Sequence, residues 1–179
     1  CPEKGLHILA DAFHQLAEQA GQEKLRLKVA GYLGKRDEAY FQQVCEQMEA
    51  WGLSEVFDYQ GEVDRDQKIG FLNSLHVLSV PTPYQDPKGL FLLEAVANGI
   101  PVVQPRHGAF PEMVAATGGG LLVEPDSPEA LAAGLLRLMK DTEGRKAMGK
   151  KGKEAVHRNF SDHRMAEATR DVYRQYVRD

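Results

Sequence analysis

The sequence predicts an α/β fold with a doubly wound parallel sheet, and three observations support this class. Apolar runs of strand length alternate with amphipathic runs of helix length over residues 1–125, as they do in a parallel sheet with helices on both faces. Only helical patterns follow the last predicted strand. The chain has 179 residues, of which 42% are hydrophobic and 27% charged, so it suits one globular domain with a sizeable core.

Five strands and eight helices are predicted in order along the chain. The strands are Leu25–Gly31, Val56–Gly61, His76–Thr82, Pro101–Arg106 and Gly119–Pro125. The helices are Leu6–Ala20, Asp37–Trp51, Asp64–Leu75, Gly89–Asn98, Pro111–Ala116, Pro128–Lys140, Glu143–Asn159 and Asp162–Val177. Ser127 and Ser161 each precede a predicted helix, where a hydroxyl side chain is typical of an N-cap. Ligands of such sheets bind beyond the carboxyl ends of the strands, so functional residues are expected just after each strand.

Composition excludes several function classes. The net charge of −4 argues against a nucleic-acid-binding protein that works through bulk charge. Cys1 and Cys45 lack metal or redox spacing and favour a reduced, cytoplasmic protein. The six histidines show no metal-ligand spacing, and no apolar run is long enough to span a bilayer. Residues 140–179 hold 11 Lys or Arg against 7 Asp or Glu, which indicates either a solvated helix face or a surface for an anionic membrane or a second domain.

One acid interrupts the apolar predicted helix that begins at Gly89. An ionised carboxylate buried alone is costly, so Glu94 should face water, a partner or a ligand. A carboxylate one or two turns from a strand end can accept the vicinal hydroxyls of a ribose. A salt bridge to a neighbouring helix explains Glu94 equally well.

The start of the same helix is a candidate phosphate site. The free N–H groups of a first helical turn suit an anion, and Gly89, Leu90 and Phe91 form that turn. Asp86 with Pro87 fits an N-cap followed by proline at the first helical position. A functional Asp86 should point at neutral hydroxyls, because a carboxylate beside a diphosphate would repel it.

These motifs together resemble the group 1 glycosyltransferases, mostly retaining enzymes of the GT-B architecture with two Rossmann-like domains. The run D-x-x-G-L-x-L-L-E-A-V-A-N-G-I-P-V-V from Asp86 to Val103 is similar to the family signature E-G-F-G-L-x-x-L-E-A-M-A-x-G-x-P-V-V. The pieces PEKG, LRLKVAG, VFDYQGEV, VLSVPTPY, GAFPEMV and GGLLVEPDSPEALAAGL follow the family's order. The resemblance implies that residues 1–179 are a single nucleotide-sugar-binding domain, the C-terminal half of such an enzyme. Its first strand would precede Cys1, and its last helix, over 161–178, would cross to an N-terminal acceptor domain.

The resemblance also implies roles for individual residues. Lys4 matches the lysine that neutralises the donor diphosphate, and Asp86 matches the acid that contacts the transferred sugar, so both are catalytic candidates. Glu94 matches the acid that accepts the ribose hydroxyls. The other substrate-binding candidates are Gly89, Leu90 and Phe91 at the phosphates and ribose, Val63 beside the base, and Lys88 as an additional cation near the diphosphate. Glu112 is expected to hold structure.

The implied activity is transfer of a sugar from a nucleoside-diphosphate sugar to a glycan or lipid-linked acceptor. No metal or cofactor is expected besides the nucleotide sugar, which is a co-substrate. The sequence departs from the family pattern at two places, with Asp86 for the first Glu and Pro87-Lys88 for the following Gly-Phe. We expect these departures to affect the choice of donor sugar more than the nucleotide site. Two alternatives remain, a sugar-nucleotide epimerase of the same architecture and a non-catalytic nucleotide-sugar-binding module. The isolated domain is expected to bind nucleotide weakly and transfer nothing, and the enzyme is expected in the cytoplasm, with possible peripheral contact at the inner membrane face.

Overall fold

The computed structural model describes residues 1–177, in which helices and parallel strands alternate. The α-helices are α1 (Leu6–Ala20), α2 (Glu38–Ala50), α3 (Arg65–Asn73), α4 (Leu90–Ala97), α5 (Phe110–Thr117), α6 (Pro128–Lys140), α7 (Thr142–Asn159) and α8 (Asp162–Tyr176). The strands are β1 (Leu27–Val29), β2 (Phe57–Tyr59), β3 (Val102–Pro105) and β4 (Gly120–Val123). Short 3-10 helices, which the sequence did not predict, cover Pro2–Lys4, Gln22–Lys24, Lys35–Asp37 and Ser54–Val56. The predicted α/β class is confirmed.

The strands form two parallel pairs. Leu27 of β1 lies opposite Phe57 of β2, and Val102 of β3 lies opposite Gly120 of β4. Every residue of β3 is buried, as expected for a parallel strand that is covered on both faces. Strand β3 therefore lies in the middle of this part of the sheet, between the Leu78 segment and β4.

The prediction of a strand over His76–Thr82 is wrong, because this segment forms no regular strand. Only Leu78 pairs, in a parallel bridge to Val102, through its N–H to the Pro101 carbonyl and its carbonyl to the Val103 N–H, each at 3.0 Å. The chain then turns sharply, because the Thr82 N–H donates to the Val80 carbonyl at 2.8 Å, and the proline at position 81 has no N–H to extend a ladder. The apolar pattern was correct about the position of the segment but not about strand length, and Val77, Leu78 and Val80 are only partly buried.

Three clusters of buried apolar residues form the core. The first joins α1, α2, β1 and β2 around Phe13 and Met48. The second joins α3, α4, α5, α7 and β3 around Leu92 and Phe110. The third lies between α1, β3 and α6 around Leu131. Helix α1 contributes to the first and third clusters, so it connects the β1–β2 pair with the β3–β4 pair.

The C-terminal helices follow the sequence closely. Ser127 caps α6 by accepting from the Ala130 N–H, and Ser161 caps α8 by accepting from the Arg164 N–H, so both predicted N-caps are confirmed. The predicted last helix, 161–178, ends at Tyr176, and position 178 lies outside the described residues. Helix α8 buries none of its residues. None of the helices in residues 1–177 combines the length and the apolar character needed to cross a bilayer.

Candidate functional site

Lys4 lies against the loop that follows Leu78, at the end of the sheet where ligands of parallel folds bind. The approach depends on Gly5, which has a φ of +72°. A Cβ at this position would collide with the Pro81 carbonyl. Glycine therefore allows both the left-handed turn and the close contact of the two backbone segments. The result is that the side chain of Lys4 meets residues 80 positions further along the chain.

The Lys4 ammonium has a polar and an aromatic environment. Its Nζ donates to the hydroxyl of Tyr84 at 3.0 Å and to Oδ2 of Asp86 at 3.1 Å. It also lies 5.3 Å from the ring centroid of Tyr84 and 5.6 Å from that of Phe91, within the range of a cation–π interaction. Burial lowers the pKa of Lys4, but the hydrogen bonds to Tyr84 and Asp86 and the negative charge of Asp86 outweigh it, so its pKa is raised. Lys4 is therefore a fixed cation.

Asp86 is a buried carboxylate with four donors. It is 5% exposed. Its Oδ1 accepts from the backbone N–H groups of Lys88 at 3.0 Å and Gly89 at 2.8 Å. Its Oδ2 accepts from Lys4 and, at 3.0 Å, from the Tyr84 hydroxyl. Burial alone would raise the pKa of Asp86, but these hydrogen bonds hold it well below its usual range, so the group is ionised.

The interpretation of Asp86-Pro87 as an N-cap followed by proline needs correction. Helix α4 begins at Leu90, and its N-cap residue is Gly89, with a φ of +53°. Pro87 therefore lies outside the helix. Asp86 instead closes the loop before α4 by accepting hydrogen bonds from two successive backbone amides.

The loop between β3 and α5 supports Asp86 from the other side. The Ala109 N–H donates to the Asp86 carbonyl at 3.0 Å. A Cβ at Gly108, which has a φ of +56°, would lie 2.6 Å from that carbonyl oxygen and 2.8 Å from the Asp86 nitrogen. His107 contacts the Thr82 carbonyl through Nε2 at 3.0 Å. The backbone of Asp86 is therefore held by a neighbouring strand end, which leaves little freedom for its side chain.

The first turn of α4 combines buried and exposed residues. Gly89 is buried, and its N–H is occupied by Asp86. Leu90 is 59% exposed. Phe91 packs edge-on against Phe110, with ring centroids 5.8 Å apart, and also borders Lys4. Of the three backbone amides predicted for a phosphate, that of Gly89 is therefore already bonded to Asp86, which leaves those of Leu90 and Phe91.

Glu94 lies one turn further along α4 and is half-exposed. Its Oε1 accepts a hydrogen bond from Lys68 of α3 at 2.6 Å, with side chains 43% and 41% exposed. The salt bridge between helices that the sequence left open is therefore present. Because the pair is open to solvent and engages one carboxylate oxygen, the other oxygen can still accept hydrogen bonds from a ligand. Helix α3 is itself fixed by a capping box between Asp64 and Gln67.

The remaining predicted residues are less constrained. Val63 is half-buried in the loop before α3. The same helix carries Lys68, which bonds to Glu94. Lys88 is exposed, and its backbone rather than its side chain joins the site. Glu112 is exposed in the first turn of α5. Within residues 1–177, no group of three or more His, Cys, Asp or Glu is placed to hold a metal ion.

The structure adds two residues that sequence reasoning missed. Tyr84 joins Lys4 to Asp86, and its position two residues before the acid was the only signal available. Lys68 pairs with Glu94 from a helix 26 positions away, and nothing in the local sequence marked it. Lys4, Tyr84, Asp86 and Gly89 thus form one connected cluster, and Glu94 with Lys68 forms a second.

The fold and the site define a class of protein, a parallel α/β domain that presents a fixed cation and a helix N-terminus at its strand ends. Comparison with known families identifies it more closely. The family described as "Glycosyl transferases group 1" matches residues 1–155. The chain belongs to this family, which confirms the resemblance of its motifs.

Individual relatives agree with this assignment. An uncharacterized glycosyltransferase of Methanocaldococcus jannaschii is 28% identical over 172 residues, which are 96% of this chain and 42% of the relative. Sucrose-phosphate synthase from Thermosynechococcus elongatus matches 98% of this chain and 43% of its own, with a TM-score of 0.81 and 26% identity. Anabaena HepE, solved in complex with UDP, has a TM-score of 0.83 at 22% identity over 96% of this chain and 46% of its own. The chain thus spans about two fifths of the length of the curated relatives it matches, and its fold is the Rossmann-like C-terminal half of a GT-B glycosyltransferase.

Proposed function

We propose that this chain is the donor-binding half of an enzyme that transfers a hexosyl group from a nucleoside-diphosphate sugar to a glycan or lipid-linked acceptor. The observation that carries the proposal is the Lys4 ammonium, which is held beside the first turn of α4 by Tyr84 and Asp86. Family membership supports it. The UDP and UDP-glucose complexes of HepE concern a protein of the same fold, and they make UDP a natural first probe.

The proposed chemistry is electrostatic. Lys4 would neutralise the donor diphosphate and stabilise it as a leaving group when the glycosidic bond breaks. The first-turn amides of Leu90 and Phe91 would add hydrogen bonds to phosphate oxygens. Lys88, which is exposed one residue before Gly89, would add a second cation. This half of the cleft contributes charge and position rather than a nucleophile, and we propose that transfer proceeds with retention and without a metal.

The nucleoside would lie further along the same edge. The free oxygen of Glu94 would accept a ribose hydroxyl, while the other oxygen stays on Lys68. Val63, in the loop after β2, would border the base. The resemblance assigns Asp86 to the transferred sugar.

We propose two partners within the same protein. A strand that precedes Cys1 would fit between β1 and the Leu78 segment, because the two parallel pairs are separate and Leu78 is bridged on one side only. An N-terminal acceptor domain would cover α8, whose apolar residues Met165, Val172, Tyr173 and Tyr176 are 54–80% exposed. The basic surface of α7 would allow peripheral contact with an anionic membrane on the cytoplasmic side.

A titration with UDP, GDP and ADP tests the nucleotide site. We expect one diphosphate to bind and Glu94→Ala to weaken it, because charged hydrogen bonds contribute about 1.5–3 kcal/mol each. The isolated domain should bind weakly, since half of the cleft is absent. If the complete protein binds no diphosphate at millimolar concentration, the proposal fails.

A donor panel with the complete protein separates the alternatives. A glycosyltransferase forms a glycoside and releases the nucleoside diphosphate. An epimerase would instead return an isomeric sugar, and a binding module would bind donor without turnover.

A further inference from the structure

The carboxylate of Asp86 has no unused hydrogen-bonding capacity. An ionised carboxylate offers roughly four lone-pair positions. Two backbone N–H groups, from Lys88 and Gly89, occupy Oδ1, while the Lys4 ammonium and the Tyr84 hydroxyl occupy Oδ2. At 5% exposure, the group also has almost no surface for a ligand. A sugar hydroxyl could bind only by displacing one of these four donors.

Displacement would be costly, because the structure fixes Asp86 on both sides. Its carbonyl accepts from the Ala109 N–H, and Gly108 packs so closely on it that a Cβ there would lie 2.6 Å from the same carbonyl oxygen. Its side chain is one methylene shorter than glutamate, so it cannot extend further without moving that backbone. A buried charge that loses partners is strongly destabilised.

Lys4, in contrast, retains capacity for a ligand. An ammonium has three donors, and two of them bond to Tyr84 and Asp86. The third is free, and the Lys4 side chain is 44% exposed. The two fixed bonds determine where that third donor points.

We infer that Tyr84 and Asp86 are positioning residues that hold the Lys4 ammonium for the diphosphate, and that Asp86 acts through Lys4 rather than on the transferred sugar. This inference rests on the proposed function, because it needs Lys4 to bind the donor. Tyr84 completes the arrangement by accepting from Lys4 and donating to Asp86 with one hydroxyl. We call these three residues the lysine clamp.

Comparing ligands with and without the sugar tests the lysine clamp. The affinities of the complete protein for UDP and for UDP-glucose are measured in the wild type, Tyr84→Phe and Asp86→Asn, with the ADP or GDP pair used if that base binds. A residue that acts through Lys4 changes both affinities by the same factor, since both ligands contain the diphosphate. For Tyr84→Phe, which keeps the ring and removes both hydrogen bonds, we expect a loss of about tenfold for each ligand.

The same variants in a Lys4→Met background complete a double-mutant cycle. We expect Tyr84→Phe and Asp86→Asn to have no further effect on either ligand there. Tyr40→Phe is the matched control, since its hydroxyl also makes two hydrogen bonds, to the N–H and ring of His7, outside the lysine clamp. It should leave both affinities unchanged.

Three results would overturn the inference. In the first, Asp86→Asn weakens UDP-glucose but not UDP, which would make Asp86 a sugar ligand. In the second, the effects of the Tyr84 and Asp86 variants persist in full without Lys4. In the third, the wild type binds neither ligand, and the proposed function then fails together with the inference. The first two results contradict only the inference and leave the proposed function standing.

Discussion

Replacing Glu94 by glutamine separates its two roles, the ion pair with Lys68 and the proposed acceptance of ribose hydroxyls. Because both partners are about two fifths exposed, the ion pair should stabilise the fold by no more than about 1 kcal/mol. That corresponds to a decrease in Tm of about 2–4 °C for a chain of this size. The loss of a charged hydrogen bond to ribose should cost about 1.5–3 kcal/mol of binding free energy, or at least about tenfold in affinity.

The assay combines thermal unfolding with calorimetric titration of the diphosphate that binds the wild type. Lys68→Met is the matched control, since it removes the same ion pair and leaves the carboxylate in place. We expect both variants to lower Tm by a similar small amount and only Glu94→Gln to lower affinity by tenfold or more. A 2′,3′-dideoxy form of the nucleotide should bind wild type and Glu94→Gln alike. Equal affinity losses in the two variants, or an unchanged preference for ribose in Glu94→Gln, would refute the ribose role.

Three further predictions concern the loops that support the site. Gly108→Ala should lower the free energy of unfolding by about 1–3 kcal/mol and weaken diphosphate binding, because the added Cβ would press on the Asp86 backbone. Gly52→Ala is the control for backbone strain alone, since Gly52 has a φ of +70° but open space around it. Equal effects of the two substitutions would contradict the steric argument. The pKa of Asp86 is lowered in the folded protein, so its ionised carboxylate should stabilise the fold fully above the unfolded pKa of about 3.9. This contribution should be lost as pH falls through the lower folded pKa. A carboxyl NMR titration should find Asp86 ionised well below pH about 3.9, and a titration midpoint near 3.9 would disprove this. Asp64→Ala should cost about 1 kcal/mol in thermal unfolding by removing the capping box of α3, and an unchanged Tm would contradict it.

Local patterns predicted most of the fold. Helices α1, α6 and α8 begin at the predicted residues, and Ser127 and Ser161 cap α6 and α8 as predicted. The carboxyl ends of β1 to β4 lie within two residues of the predicted ends. The predicted strand before Asp86 is reduced to one bridge, and the place of Lys4 was indicated by the family resemblance alone. The segment around Leu78 was overpredicted because strand length depends on neighbours, and the turn at Thr82 is made by backbone hydrogen bonds that composition does not reveal.

Pairing between side chains was less predictable. The sequence suggested that Glu94 meets either a ribose or another helix, but its partner Lys68 depends on how α3 packs beside α4. Asp86 was expected to cap a helix, but its two local hydrogen bonds, from the backbone N–H groups of Lys88 and Gly89, close the loop before α4 instead. The other two come from Tyr84 and from Lys4, 82 positions away, and only the tertiary fold brings that lysine into reach.

The division of the strands into β1–β2 and β3–β4 bears on how the molecule opens. Within residues 1–177, no strand ladder joins the two pairs, so side chains of α1 and α6, which pack in the core clusters on both sides, hold them together. In the isolated domain, amide hydrogen exchange should therefore reveal two cooperative units of different protection, which the proposed strand before Cys1 would join in the complete protein. Lys4 precedes α1 and Asp86 precedes α4, so the lysine clamp spans both units. A diphosphate bound between Lys4 and α4 should slow exchange in the two units together.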